Sequence, residues 1–96
     1  MIFDWDDANR EHIADHDVTT EEVEYALIHD PLDIEVEFRE GEERLVQVGA
    51  TANGRILTVI STLRGERVRV VTAFDASKRR RVEFEQSRRE RYGTQN

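Results

Sequence analysis

The chain has 96 residues, with 14 Lys+Arg against 21 Asp+Glu and a formal charge of −7. That length is one domain, residues 1–96, whose single core removes on the order of two thirds of the unfolded surface from water and leaves room only for a shallow site. The chain contains no cysteine, which excludes disulfides and thiolate metal sites, and neither a run of about 18 apolar residues nor a signal-peptide start is present, so a soluble, cytoplasmic protein that makes no membrane contact is expected.

Asp6 or Asp7 caps a first helix running to about His16, which places Asn9, His12, Ile13 and His16 on one face. Thr19 with Glu22 fits a capping box, and Val18 with Val23 fits the hydrophobic staple that accompanies it. A second helix therefore runs to about His29, with Val23, Ala26 and Leu27 inward, and stops before Pro31. Beyond Pro31 the apolar period changes from about 3.6 to 2. "DIEVEFR" alternates Ile34, Val36 and Phe38 with charged residues, as a strand with one wet face does.

Three further strands follow: "RLVQVGAT", "RILTVISTL" and "RVRVVTAF", separated by short turns that include Asn53-Gly54. Ile56–Leu63 is apolar on both faces and is the expected central strand. An unbroken last strand puts Val68, Val70, Thr72 and Phe74 on one face. A helix over 76–91, capped by Asp75 or Ser77, closes the chain. Its apolar residues Ala76, Val82 and Phe84 form no continuous stripe, which favours an exposed, docking role over core burial. The expected fold is thus α+β, with two N-terminal helices on one face of an antiparallel four-stranded meander and a basic C-terminal helix after it.

Charge is divided along the chain. Residues 1–43 hold sixteen Asp+Glu against Arg10 and Arg39, and residues 44–96 hold twelve Lys+Arg against five acidic residues. The basic half includes Lys78, Arg79, Arg80 and Arg81 in succession, and strand arginines at 44, 55, 64, 67 and 69 that the meander brings near one another. Arginine forks hold phosphate through paired hydrogen bonds, so this set either binds an anion such as RNA or pairs with the acidic half of its own chain. His12 and His16 have the four-residue spacing of two metal ligands. The intervening Ile13-Ala14-Asp15 lacks the glutamate of a zinc-protease helix and no third ligand stands out, so no metal or cofactor is expected. Arginines with a nearby histidine suffice in principle for metal-free RNA cleavage.

The order "FDWDDANREHIADHDVTTEEVEYAL…DP" and "EERLVQVGAT…GRILTVISTLRGERVRVVTA" resembles the BrnT family of bacterial toxins over roughly residues 3–85. The pieces that carry the likeness are Trp5-Asp6, the N-x-x-H-I-x-x-H-x-V run of residues 9–18, Asp30-Pro31, Glu43-Arg44, Gly54-Arg55, and Arg64 with Arg69. The resemblance implies a RelE-related fold and a metal-independent endoribonuclease that blocks translation. It also implies a cognate DNA-binding antitoxin that holds the toxin inactive in a hetero-oligomer. On that resemblance His16, Arg44, Arg64 and Arg69 are the candidates for phosphate binding and proton transfer, while His12, Arg55, Arg67, Lys78, Arg79, Arg80 and Arg81 are candidates for contacting RNA. The chain departs from the family pattern at Asp17 (commonly Gly), Phe74 (Arg), Arg80 (Glu) and Phe84 (Tyr). Two other readings stand beside this one: a catalytically weak module that keeps the antitoxin surfaces, and an unrelated α+β interaction domain.

Overall fold

A computed structural model describes residues 1–93 of the chain, and the last three residues of the expected domain lie outside the described residues. Its elements are β1 (Ile2–Phe3), α1 (Asp7–Ala14), α2 (Thr20–Ile28), β2 (Leu32–Arg39), β3 (Glu42–Ala50), β4 (Ile56–Arg64), β5 (Arg67–Asp75) and α3 (Lys78–Tyr92). The last four strands form the expected antiparallel meander, with β4 at the centre of a sheet ordered β1-β5-β4-β3-β2. The four-strand expectation is corrected by β1, which pairs in parallel with Arg67 and Val68 of β5 and makes the sheet five-stranded and mixed. Two residues are too short to carry an alternation signal; their pairing is extended by the Asp4 amide donating to the Val68 carbonyl at 2.8 Å.

Local sequence fixes the helix ends. Thr19 and Glu22 make the reciprocal capping box at the start of α2. At α1 the cap is Asp6, and its reciprocal partner is Asn9. This helix closes with a Schellman pair, Val18 N–H to the Ile13 carbonyl at 3.1 Å and Asp17 N–H to the Ala14 carbonyl at 2.9 Å, with Asp17 at φ +58°. Ile13 and Val18, the apolar pair such a closure brings together, are both buried in the same core.

Helices cover both faces of the sheet, not one. Ile13, Val18, Val23 and Leu27 of the α1–α2 layer pack on Leu57, Val59, Val70 and Ala73, with Phe3, Trp5 and Val68 at the margin. On the opposite face Phe84 is buried with Val48 and Ala76, bordered by Leu32, Ile34, Ala50 and Ile56. The expectation of an undocked terminal helix is corrected here: one aromatic anchor suffices where a stripe is absent. The end of α3 is also tied down, because the Tyr92 hydroxyl and the Arg91 guanidinium both donate to Asp30.

Two bulges re-aim side chains. In β2, Ile34 is an extra residue between the pairs Asp33–Gln47 and Glu35–Val46. Beyond it the strand turns over, so Val36 and Phe38 leave the α3 core and stand 62% and 73% exposed on the α2 side, contrary to the simple alternation. In β5, Val71 is extra between the pairs Ile60–Thr72 and Ser61–Val70. The expected shared face of Val68, Val70, Thr72 and Phe74 is therefore split. Val68 and Val70 enter the α1–α2 core, and Arg69 is directed to the other face beside Thr62.

Candidate functional site

Alternation along β3 puts Glu42 and Arg44 on the face that carries Val46 and Val48. Across the sheet, Thr62 of β4 pairs with Arg69 of β5, and Arg44 sits one position beyond the Leu45–Ser61 pair. Arg44, Thr62 and Arg69 thus form a row across three strands, with the small Thr62 between two arginines whose backbones are about 10 Å apart. Arg64, at the end of β4, completes a triangle of guanidinium groups. Without the Val71 bulge Arg69 would face the opposite core, so the triangle depends on that one extra residue.

The fourth side comes from α1. Asn9 is buried, and its side-chain amide donates to the carbonyls of Asp4 at 2.9 Å and Val70 at 3.2 Å. Those two hydrogen bonds dock the first turn of α1 against β5, and His12, one turn further on, then reaches the same cleft. Ala8, Asn9, His12, Glu42, Arg44, Arg64, Arg69, Val70 and Val71 line a cavity of about 200 Å³.

The cleft is electrostatically matched from within. Glu42 accepts from Arg44 Nε at 3.2 Å through one oxygen and from Arg64 Nη2 at 2.9 Å through the other. Arg64, and then Arg44, hold its carboxyl below the usual range against the opposing effect of burial. Arg69 pairs with Asp6 at 3.1 Å and Asp4 at 3.8 Å. Asp6 is likewise lowered, first by the Asn9 amide of the helix cap and then by Arg69. Three cations therefore face one another because carboxylates stand between them. Their forks can exchange those carboxylates for phosphate oxygens, and the neighbouring imidazole can give or take a proton.

Of the residues singled out in the sequence, the structure brings His12, Arg44, Arg64 and Arg69 together. Arg67 is exposed and pairs in register with Arg64 at the tip of the β4–β5 hairpin. His16 lies apart from the cleft lining, its ring tilted against Phe74 at 5.8 Å. Arg55 is held elsewhere, donating to Asp75, Glu22 and the carbonyls of His16 and Asp17. On α3, Arg79 and Arg80 pair with Glu83, Arg81 donates to the Ala76 carbonyl, and Lys78 is exposed. Glu42 and Asp4 were not singled out in the sequence, and Asn9 was placed on the His12 face but not as the residue that docks α1. Glu42 was legible as a carboxylate two residues before Arg44 on one strand face, and Asn9 as the third residue after a capping Asp. Among the described residues no group of three or more His, Asp or Glu side chains is arranged to hold a metal ion, and no helix is long and apolar enough to cross a membrane.

A larger cavity lies beside this cleft. A groove of about 730 Å³ on the α2 side exposes a mostly apolar surface from Met1, Leu27, Val36, Leu45, Leu63 and Val68, and it meets the cleft only at the shared strand residues Glu42, Arg44 and Arg64. The chemistry-bearing side chains converge in the smaller one.

No curated protein matches the chain. A family model described as the ribonuclease toxin, BrnT, of type II toxin–antitoxin systems matches residues 5–80, a span that includes every residue lining the cleft.

Proposed function

The chain belongs to the BrnT family of type II toxin–antitoxin ribonuclease toxins, and from that premise we propose that it cleaves RNA without a metal ion, using the cleft of His12, Arg44, Arg64 and Arg69. The observation that carries the reading is the convergence of three guanidinium groups and one imidazole around a displaceable carboxylate. A scissile phosphate enters by taking the place of Glu42 on Arg44 and Arg64, with Arg69 as the third cation. The ribose 2′-OH then attacks the adjacent phosphorus as its proton leaves to a base. The P–O5′ bond breaks, the 5′ oxygen is protonated, and a 2′,3′-cyclic phosphate remains. The arginines stabilise charge that builds on the non-bridging oxygens, and His12 serves proton transfer. His12 takes this role in place of His16 because it shares the cleft with the arginines.

The positions where the chain departs from the family pattern do not touch this cleft. Phe74 packs on His16, Arg80 pairs with Glu83, and Phe84 is buried against Val48. Their placement supports turnover and not a merely binding module. In the cell the reading implies loss of mRNA, arrest of translation, and control by a cognate DNA-binding antitoxin.

The test is cleavage of a defined RNA by purified protein. Activity should persist in EDTA and leave cyclic phosphate ends. Arg44→Ala, Arg64→Ala and Arg69→Ala should each lower the rate by about 10²–10³, and His12→Ala by about 10²–10⁴, with His16→Ala within about tenfold of the unaltered protein. Loss in EDTA with rescue by a divalent ion, or greater loss from His16→Ala than from His12→Ala, would refute it.

A further inference from the structure

The apolar groove on the α2 side shares only Glu42, Arg44 and Arg64 with the proposed cleavage site. Its floor is Val36, Leu45, Leu63 and Val68, and its walls include Leu27 and Met1. Val36, Leu63 and Met1 are 62%, 71% and 73% exposed, and Phe38 beside them is 73% exposed. These residues cluster because the Ile34 bulge turns the outer half of β2 toward the α2 side, where neither α1 nor α2 reaches the hairpin end of the sheet. A contiguous apolar surface of this kind on a small domain marks an interaction site.

Charge decides what covers it. The groove's rim includes Glu42 and Glu43, with Glu40 in the adjoining turn, while Glu35 and Glu37 of β2 alternate with Val36 and stand on the opposite face of this edge strand. Glu42 and Glu40 are paired to arginines, while Glu35, Glu37 and Glu43 form no ion pair among the described residues. β2 is also the open edge of the sheet. A second copy adding its own β2 there would set Glu35 and Glu37 against the same glutamates, an arrangement that destabilises cross-strand pairing. A partner with the opposite charge meets no such repulsion. Membership of a toxin–antitoxin family supplies one partner, an antitoxin.

We propose that this groove is the antitoxin-docking surface, and that the antitoxin enters it as an amphipathic segment whose apolar side is flanked by lysine or arginine. The proposal rests on family membership for the existence of the partner and not on the cleavage mechanism. Seated there, the segment extends the α1–α2 layer over the bare end of the sheet. Because Glu42, Arg44 and Arg64 line both groove and cleft, an occupant of the groove also lies beside the phosphate site.

The test uses the full chain with the antitoxin co-expressed from the same operon. Val36→Glu with Leu63→Glu should weaken the complex at least about 100-fold, as loss of central apolar anchors does. Glu43→Lys, on the groove rim, should weaken it about fivefold and flatten its salt dependence. Reversing Arg79, Arg80 and Arg81 to Glu should leave the affinity within about threefold, since those side chains lie on α3, remote from the groove. Full affinity in the Val36/Leu63 variant with unaltered urea stability would overturn the proposal. So would sedimentation of the free protein as a dimer that this variant dissolves, because the occupant would then be a second copy. If that variant does not fold, hydrogen exchange on the native complex decides: the proposal requires protection at 36–45 and 61–68, and its absence there refutes it. Cleavage by the free Val36/Leu63 variant reports on the cleft alone, so failure of docking and failure of the cleavage mechanism are separable.

Discussion

Replacing Arg55 with alanine should lower fold stability and leave RNA affinity nearly unchanged. Its guanidinium donates from Nε to Asp75 at 2.7 Å, from Nη1 to the Asp17 carbonyl at 2.7 Å and to Glu22 at 3.1 Å, and from Nη2 to the His16 carbonyl at 3.2 Å. One side chain thus fastens the α1–α2 turn, the first turn of α2 and the end of β5, and only a quarter of it is exposed. Hydrogen bonds to charged groups contribute about 1.5–3 kcal/mol each in a dry setting. Solvent screens the bond to Asp75, whose side chain is 69% exposed, so a net loss of about 2–3 kcal/mol is expected for the set. In a domain of this size that lowers Tm by about 10–20 °C. Arg55→Lys should restore less than half, since an ammonium cannot span acceptors placed for a planar fork. Urea and thermal unfolding read the stability, and RNA titration well below Tm reads the affinity. A stability change under about 0.5 kcal/mol together with a tenfold loss of RNA binding would show that Arg55 serves phosphate and not the fold.

Gly49→Ala should destabilise by about 1–3 kcal/mol, because an added Cβ lies 2.5 Å from the Ala26 carbonyl oxygen and α2 cannot retreat without opening the Val23–Leu27 contacts. Unchanged urea unfolding would mean that α2 does not sit on β3. Asp17→Gly should stabilise by about 0.5–1 kcal/mol, since Asp17 closes α1 at φ +58° and its bond to Arg55 uses the backbone carbonyl; a loss of stability would show that the carboxylate matters. The Tyr92 hydroxyl, then Arg91, lower Asp30 from its ordinary 3.8. The stability this gives is present above that ordinary value and lost as pH falls through the lowered one. Tm should therefore fall as pH drops below the ordinary aspartate range, and Asp30→Asn should flatten part of that fall; an identical acid profile in the variant counts against the α3 clasp.

The parts of the fold that could be read were those written in local chemistry. The α2 box of Thr19 and Glu22, the stop before Pro31 and the central place of β4 need only neighbours in sequence or a two-sided apolar run. The parts that could not be read are set by events between strands. Nothing in "DIEVEFR" says that Ile34 is supernumerary, because a bulge is fixed by the partner strand's register. Nothing in "RVRVVTAF" separates Val70 from Thr72 for the same reason. The two bulge residues, Ile34 and Val71, decide where Phe38 and Arg69 point, and so decide both the groove and the cleft. Arg44, Arg64 and Arg69 were legible as a cluster, since short turns return strand ends to one edge. The proposed exchange of His16 for His12 was not. It follows from the buried Asn9 amide docking the first turn of α1, which directs the turn that follows it into the cleft.

An acidic chain that acts on RNA faces repulsion at long range and must attract at short range. At physiological ionic strength charges are screened beyond about 8 Å, so the acidic residues of the first 43 other than Asp4, Asp6 and Glu42 matter little to a phosphate already in the cleft. Within that distance the relevant groups are three arginines and the carboxylates between them. Binding is then an exchange of anions: a phosphate must take Arg44 and Arg64 from Glu42, which already satisfies both forks. Isolated phosphate gains little by that exchange. An RNA strand gains more, because neighbouring nucleotides can contact the exposed Arg67 and the basic face of α3 while the scissile group competes for the cleft. On the proposed reading, selectivity for a polyanion over a free anion follows from the resting ion pairs, without any excess of positive charge in the chain as a whole.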